Sequence, residues 1–215
     1  VAQGHEVHIA YQTSGNIAVS DEEALKFAEI SKGFNSDSKK INGIIEFIKN
    51  KKGNDVVDAI DVRKLKGSIR KSESLAATRY FNLPDKNVHF LNLTFYETGT
   101  IKKGRLSKDD VTAMIGIIDK VKPHQIYAAG DLADPHGTHK VCLDALFLAL
   151  DEIKYEKEYM KDCWVWLYRG AWHEWDSHEI EMAVPMSPDQ VLRKRHAIFY
   201  HQSQKDVYID LPRHF

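Results

Sequence analysis

Long apolar runs are missing from this chain: nothing approaches the roughly 18 consecutive apolar residues of a membrane span, and no charged, then apolar, then small-residue leader opens it. A chain that crosses or anchors to a membrane is therefore not expected. Cysteine is scarce, with two residues in 215, Cys142 and Cys163. Their spacing fits neither a disulfide framework nor a cysteine-based zinc site and suits a reducing, cytoplasmic compartment. Charge of one sign is lacking as well, since 30 Lys and Arg face 31 Asp and Glu for a formal net charge of −1. That balance leaves no electrostatic footprint for nucleic acid or an anionic membrane. Internal repeats, low-complexity tracts and Pro/Ser-rich linkers are absent too, which fits one domain over residues 1–215 better than two. What is present is 43% hydrophobic and 28% charged residues, close to globular averages and enough for a sizeable buried core.

The order of patterns points to an α/β fold. Residues 5–11 (HEVHIAY) alternate polar and apolar side chains before the polar turn Thr13-Ser14-Gly15-Asn16, as a strand entering a loop does. Residues 21–31, 39–52 and 58–82 carry helical periodicity, with Ile41, Ile44, Ile45 and Ile48 spaced along one face. Residues 88–93 read as a strand, 111–121 as a helix closed by Pro123, 125–129 as a strand and 139–155 as an apolar helix. Residues 164–169 and 179–184 read as strands, and 187–203 as a closing helix opened by Ser187-Pro188. Strands alternating with helices predict a mostly parallel sheet covered on both faces. The lysine-rich run 49–53 reads as a solvated helix end.

In open α/β sheets ligands bind beyond the carboxyl ends of the strands. The loop after the third strand, 130–140 (GDLADPHGTHK), gathers Asp131, Asp134, His136, Thr138 and His139. Thr138 reads as the N-cap of the next helix, with His139 in its first turn, where the positive helix end keeps an imidazole neutral and able to ligate a metal. A plain polar βα loop is the simpler interpretation, and a zinc site needs ligands beyond this segment. Thr13 to Asn16 reads as an ordinary tight turn, and Arg70 with Glu73 as an i,i+3 surface pair unless their context changes that. Trp164, Trp166 and Tyr168 alternate at strand spacing and are expected in the core. Trp172 and Trp175 fall outside that alternation, and stacking on a sugar ring is the other use of such a cluster.

Taken in order, these segments resemble the PIG-L/LmbE-like family of zinc-dependent N-acetylsugar deacetylases, from about residue 3 to about residue 205. The residues that carry the resemblance are Gly4-His5-Glu6-Val7 with Thr13-x-Gly15, Arg70-x-x-Glu73 with Ala76-Ala77, and Phe90-Leu91-Asn92-Leu93. They continue with Pro135-His136-Gly137-Thr138-His139 and a closing segment of Lys194, Ala197-Ile198 and His201-Gln202-Ser203-Gln204. The flavour is that of a deacetylase-like domain fused behind a bacterial glucosamine-6-phosphate deaminase. The resemblance implies a Rossmann-like, mostly parallel sheet with helices on both faces. It implies a Zn2+ cofactor, His139 as metal ligand and His136 as the residue that stabilises the oxyanion or protonates the departing amine. Arg70, Thr13 and Gly15 would then contact substrate, with Thr138, Glu73 and His201 in support.

The family's Pro-His-Pro-Asp-Asp, which supplies a His and an Asp to zinc and an Asp as general base, has no counterpart in the chain. The site implied is thus incomplete and the chain inactive as given. The expectation is that about 30 to 60 upstream residues, a strand, a carboxylate-rich loop and a helix, complete it. The reaction implied is hydrolysis of the N-acetyl group of an N-acetylglucosamine-type sugar. The alternative is a non-catalytic sugar-binding or assembly domain attached to a glucosamine-6-phosphate deaminase. A small amino sugar is the partner on either reading, with a second copy or a fused sugar-phosphate enzyme domain as the protein partner. A dinucleotide-binding oxidoreductase is set aside because no Gly-x-Gly-x-x-Gly follows any predicted strand.

Overall fold

The computed structural model describes residues 3–53, 56–100, 102–130, 137–169 and 173–204. They form an α/β fold of helices with small parallel sheets. The chain divides into two compact units, each discontinuous in sequence: residues 15–85 with 188 onward, and residues 4–14 with 86–187. Among the described residues no helix is long and apolar enough to cross a membrane.

The first unit is helical. Helix α1 (Asp21–Phe34) begins where the Ser20 hydroxyl accepts from the Glu23 N–H at 3.1 Å, with Asp21, Glu22 and Glu23 in the first turn complementing the positive helix end. Helix α2 (Lys39–Glu46) starts in the same way, Ser38 accepting from the Ile41 N–H, and runs into a π turn over Phe47–Lys51 rather than continuing as one helix to 52. The wider turn leaves both Phe47 and Ile48 against a core of Ala28, Ile44 and Val62. Helix α3 (Ile60–Tyr80) buries Val62, Lys66, Ile69, Glu73, Ala77 and neighbours along one stripe. Helix α6 (Pro188–Ile198) starts on its proline, which has no N–H to leave unbonded, and stops short of the expected 203; a 3-10 turn follows at Gln202–Gln204.

A lysine on a buried stripe needs counter-charge. Lys66, 3% exposed, donates to Asp21 Oδ1 at 2.7 Å and Asp58 Oδ2 at 2.8 Å, and Lys52 donates to the Oδ1 atoms of the same two aspartates at 2.6 Å each. Two cations and two carboxylates thus alternate in a closed, neutral ring. The lysine run read as solvated is divided: Lys49 and Lys51 form exposed pairs with Glu29 and Glu46, while Lys52 belongs to the ring.

The second unit holds the strands. β1 (Ile9–Tyr11) pairs in parallel with β2 (Val88–Phe90), Ala10 opposite His89. β1 is shorter than the expected 5–11 because Val7 offers its carbonyl to the Asn87 side chain at 3.0 Å instead of to a strand partner. Asn92, at φ 50°, ends β2 early, although the Leu91 and Leu93 amides still donate to the carbonyls of Tyr11 and Gln12. β3 (Gln125–Ala129) pairs in parallel with β4 (Trp164–Tyr168) as a separate two-stranded sheet. Helix α4 (Lys108–Val121) precedes β3 and packs on α5 (Thr138–Ile153), which leads towards β4. A reciprocal capping box of Ser107 and Asp110 starts α4, and Lys122 in the left-handed region ends it ahead of Pro123.

Two expectations are corrected here. The register places Tyr127, Trp164, Trp166 and Tyr168 on one face, and Tyr127, Trp164 and Tyr168 are 55%, 65% and 57% exposed rather than in the core. The opposite face, with Ile126, Val165 and Leu167, is the more buried one. No strand forms over 179–184: a 3-10 turn at Ser177–Glu179 gives way to irregular chain in which Ile180, Met182 and Val184 are exposed. Alternation alone does not make a strand without a neighbour to pair with, and Pro185 removes a ladder donor.

The charge ring makes stability sensitive at both ends of the pH scale. Burial pushes the Asp21 carboxyl up, but the hydrogen bonds from Lys52 and Lys66 outweigh it and hold the group below its ordinary value. Burial likewise lowers Lys52, yet its bonds to Asp21 and Asp58 raise it above the ordinary lysine value. The aspartate contribution is complete above the unfolded carboxylate value near pH 4 and is lost as pH falls below it. The lysine contribution is complete below the unfolded value of about 10.4 and is lost as pH rises beyond the folded one. Asp58→Asn, which leaves Lys66 with half its counter-charge, is expected to lower unfolding free energy by about 3 kcal/mol in urea melts at neutral pH. A loss below about 0.5 kcal/mol, the range of exposed pairs, would show that the ring does not hold the unit together.

Candidate functional site

Arg70 and Glu73 lie one turn apart on α3, so their side chains leave the same face. They are not a surface pair. Glu73 is 7% exposed, and its Oε2 accepts from Arg70 Nη1 at 2.8 Å and from the Ser203 hydroxyl at 2.8 Å, while Oε1 accepts from the Ser203 amide at 2.7 Å. With its acceptor capacity largely committed, Glu73 orients its neighbours rather than serving as a free base. The turn that carries Ser203 also brings in His201, whose Nδ1 is 3.4 Å from Arg70 Nη1, and Gln204, whose amide donates to the Ala18 carbonyl at 2.9 Å.

His201 is half-buried. Burial first, and then the Arg70 guanidinium, push its pKa below the ordinary histidine value, with Glu73 opposing them. It is therefore neutral at ordinary pH. Guanidinium only donates, so Nδ1 is the acceptor and the ring hydrogen is assigned to Nε2. A neutral N–H donor thus sits beside a fixed guanidinium.

Gly15 adopts φ 67° and starts a 3-10 turn over Asn16–Ala18, the Ala18 amide donating to its carbonyl at 3.1 Å. The turn reading is right, and it has a second consequence: a Cβ at Gly15 would come within 3.1 Å of Arg70 Nε and 3.3 Å of its Cγ. The missing side chain lets the arginine lie against the turn. Gly15, Arg70, Glu73 and His201 thus come together in the first unit.

Thr13, Thr138 and His139 belong to the second unit. Thr13 is half-buried in the loop that leaves the carboxyl end of β1. Thr138 is the first residue of α5 and does not cap it; Gly137, at φ 67°, holds the N-cap position without a side-chain hydrogen bond. A left-handed cap favours glycine over threonine, which explains the shift of one residue. His139 occupies the first turn, as expected, and is half-buried. His136, Asp131, Asp134 and Trp172 lie outside the described residues.

Two further groups carry no signal in the local sequence pattern. Ser203 belongs to the closing motif, and nothing in its spacing connects it to Glu73, 130 residues away. Arg169, just past the carboxyl end of β4, lies with its guanidinium carbon 3.5 Å from the centroid of the Trp175 ring and donates from Nε to the Gly130 carbonyl at 3.2 Å. Gly130 has no room for a Cβ, which would meet Leu167 Cβ at 2.9 Å.

Three protein ligands are the usual minimum for a zinc site, and among the described residues no group of three His, Cys, Asp or Glu side chains could hold a metal ion.

The geometry defines an α/β protein with a polar cluster built around a buried carboxylate. No family model matches the sequence, and no solved structure matches it. A protein of Bacteroides thetaiotaomicron named as glucosamine-6-phosphate deaminase-like is 50% identical over 216 residues, an alignment that covers 96% of this chain and 32% of that protein. The chain thus spans about a third of the length of this relative.

The cluster can be tested through His201. Arg70→Met removes a positive neighbour and is expected to raise the His201 pKa, and Glu73→Gln removes a negative one and is expected to lower it. Histidine proton NMR between pH 4 and 8 reads both. Shifts of the same sign in the two variants would show that His201 does not sit between these charges.

Proposed function

We propose that this chain is an amino-sugar-binding domain of a longer glucosamine-6-phosphate deaminase-like protein, with Arg70 and His201 at its ligand site. The observation that carries this reading is the buried Glu73, which fixes a guanidinium next to a neutral imidazole. Arg70 offers N–H groups to ring hydroxyls or to a phosphate, and His201 adds a single donor from Nε2. The name of the half-identical relative supports an amino-sugar phosphate as ligand. The resemblance to the PIG-L/LmbE-like family supports a sugar ligand as well, together with a Rossmann-like sheet and a role for Gly15 in lining the site.

A second reading, hydrolysis of an N-acetyl group, is favoured by His139 in the first turn of α5, at the start of the helix that follows β3. His136 and Thr138 would act beside it. On that reading the remaining zinc ligands would come from outside the described residues.

Titration calorimetry with glucosamine 6-phosphate and with N-acetylglucosamine distinguishes the readings. Binding of either sugar that weakens at least tenfold, about 1.4 kcal/mol, in Arg70→Met supports the first. Binding unchanged in Arg70→Met but lost in His139→Ala moves the site to α5, and acetate release that depends on His139 establishes the second reading. Absence of binding of both sugars refutes the first.

A further inference from the structure

Three titratable groups stand in a row at the start of the β1–β2 pair. Ala10 is opposite His89 in the parallel register, so His8, two residues before Ala10, shares the face of His89 one step back. His8 Nδ1 lies 3.0 Å from His89 Nε2, and the rings are parallel to within 7° with centroids 5.3 Å apart. That separation matches the nitrogen contact plus one ring radius at each end, so the rings lie edge to edge and nearly in one plane, not face to face. The geometry is that of an in-line N–H···N bond. It does not suit a shared metal, which would have to stand about 2.0 Å from each nitrogen off the line joining them.

Glu6 Oε1 lies 3.2 Å from His8 Nε2. A carboxylate only accepts, so His8 donates from Nε2 to Glu6 and accepts at Nδ1 from the Nε2–H of His89. One arrangement of protons satisfies all three groups. The charged groups facing the pair are Glu6, 78% exposed, and Lys120 on α4. The pair accommodates one extra proton, because an imidazolium can donate to a neutral partner. It does not accommodate two, which would point two N–H groups and two positive charges at one another across 3.0 Å.

We propose that Glu6, His8 and His89 form an acid-sensitive clasp on the β1–β2 pair, closed while the two rings share at most one added proton and released when both are protonated. The strands are three residues each, so a cross-strand side-chain bond is a large share of what holds them in register. Release acts on the loop that follows β1 and carries Thr13. Burial first, then Lys120 and His8, hold His89 below the ordinary histidine value. The neutral ring therefore contributes stability that is complete above the unfolded value of about 6.5 and is lost as pH falls through the lower folded one.

The test is amide hydrogen exchange of β1 and β2 between pH 8 and 4, corrected for intrinsic rates, together with ring nitrogen NMR of His8 and His89. The expected result is two coupled titration steps, and protection at residues 9–11 and 88–91 that falls at least tenfold below the second step while β3 and β4 hold theirs. His8→Gln should titrate His89 in one step and remove the excess loss. Lys120→Met, at an exposed helix position, removes a charge that opposes added protons on the closed pair and should move the opening to lower pH, which keeps the test open should His8→Gln fail to fold. Independent titration of the two rings, the same acid loss in His8→Gln, or an opening unmoved in Lys120→Met would each overturn the clasp.

Discussion

Helix α3 places a cation and a carboxylate on the stripe that faces inward, and the first unit is organised around satisfying them. A buried charge without a partner costs several kcal/mol, so Lys66 and Glu73 each dictate what must stand opposite. Lys66 is met by Asp21 at the first turn of α1 and by Asp58 just ahead of α3, with Lys52 closing the ring. Glu73 is met by Arg70 from its own helix and by Ser203 from the far end of the described chain. The two sets lie seven residues apart, two helical turns, and so on the same side of the helix. Between them they tie the start of α1 and the turn after α6 to one scaffold.

The second unit depends more on shape than on charge. Each of its parallel pairs delivers a loop at its carboxyl end, where ligands gather in sheets of this kind. At β3 and β4 the close approach of Gly130 to Leu167 and Trp175 leaves no space for a side chain, and Arg169 is pinned between an aromatic face and a backbone carbonyl. At β1 and β2 the pairing is so short that side chains, Asn87 to the Val7 carbonyl and His8 to His89, extend what the ladder begins.

Much of this was legible in the sequence, for reasons that differ from element to element. Helices α1 to α6 announce themselves through periodicity, and α6 also through its opening proline, which acts within one turn. Four of the five expected strand positions were also legible, since alternation is local, whereas 179–184 alternates without forming a strand. Their lengths were not, because a strand ends where its partner ends, as Asn92 and Asn87 show. Thr138 looked like a cap and Gly137 held the position, a matter of backbone handedness that composition does not reveal. The aromatic run 164–168 looked like core because hydrophobic alternation says which residues share a face, but not whether that face is covered. The pairing of Lys52 and Lys66 with the same two aspartates links residues up to 45 positions apart, beyond any local pattern.

The closing motif makes the same point about function. His201, Ser203 and Gln204 read in sequence as a signature of activity, yet Ser203 and Gln204 spend their hydrogen bonds on Glu73 and on the Ala18 carbonyl. Their first role is to fasten a turn against α3 and the Gly15 turn. What this leaves for a ligand is defined by subtraction: the N–H groups of Arg70 other than those of Nη1, which face Glu73, His201 and Ser203, and the Nε2–H of His201. A ligand site assembled in this way would be ordered before anything binds, because the carboxylate that orients the arginine is the same one that anchors the chain. Loss of Glu73 would therefore be felt as loss of fold and of recognition together, whereas loss of Arg70 leaves both Ser203 bonds to the carboxylate in place and reports on recognition more directly.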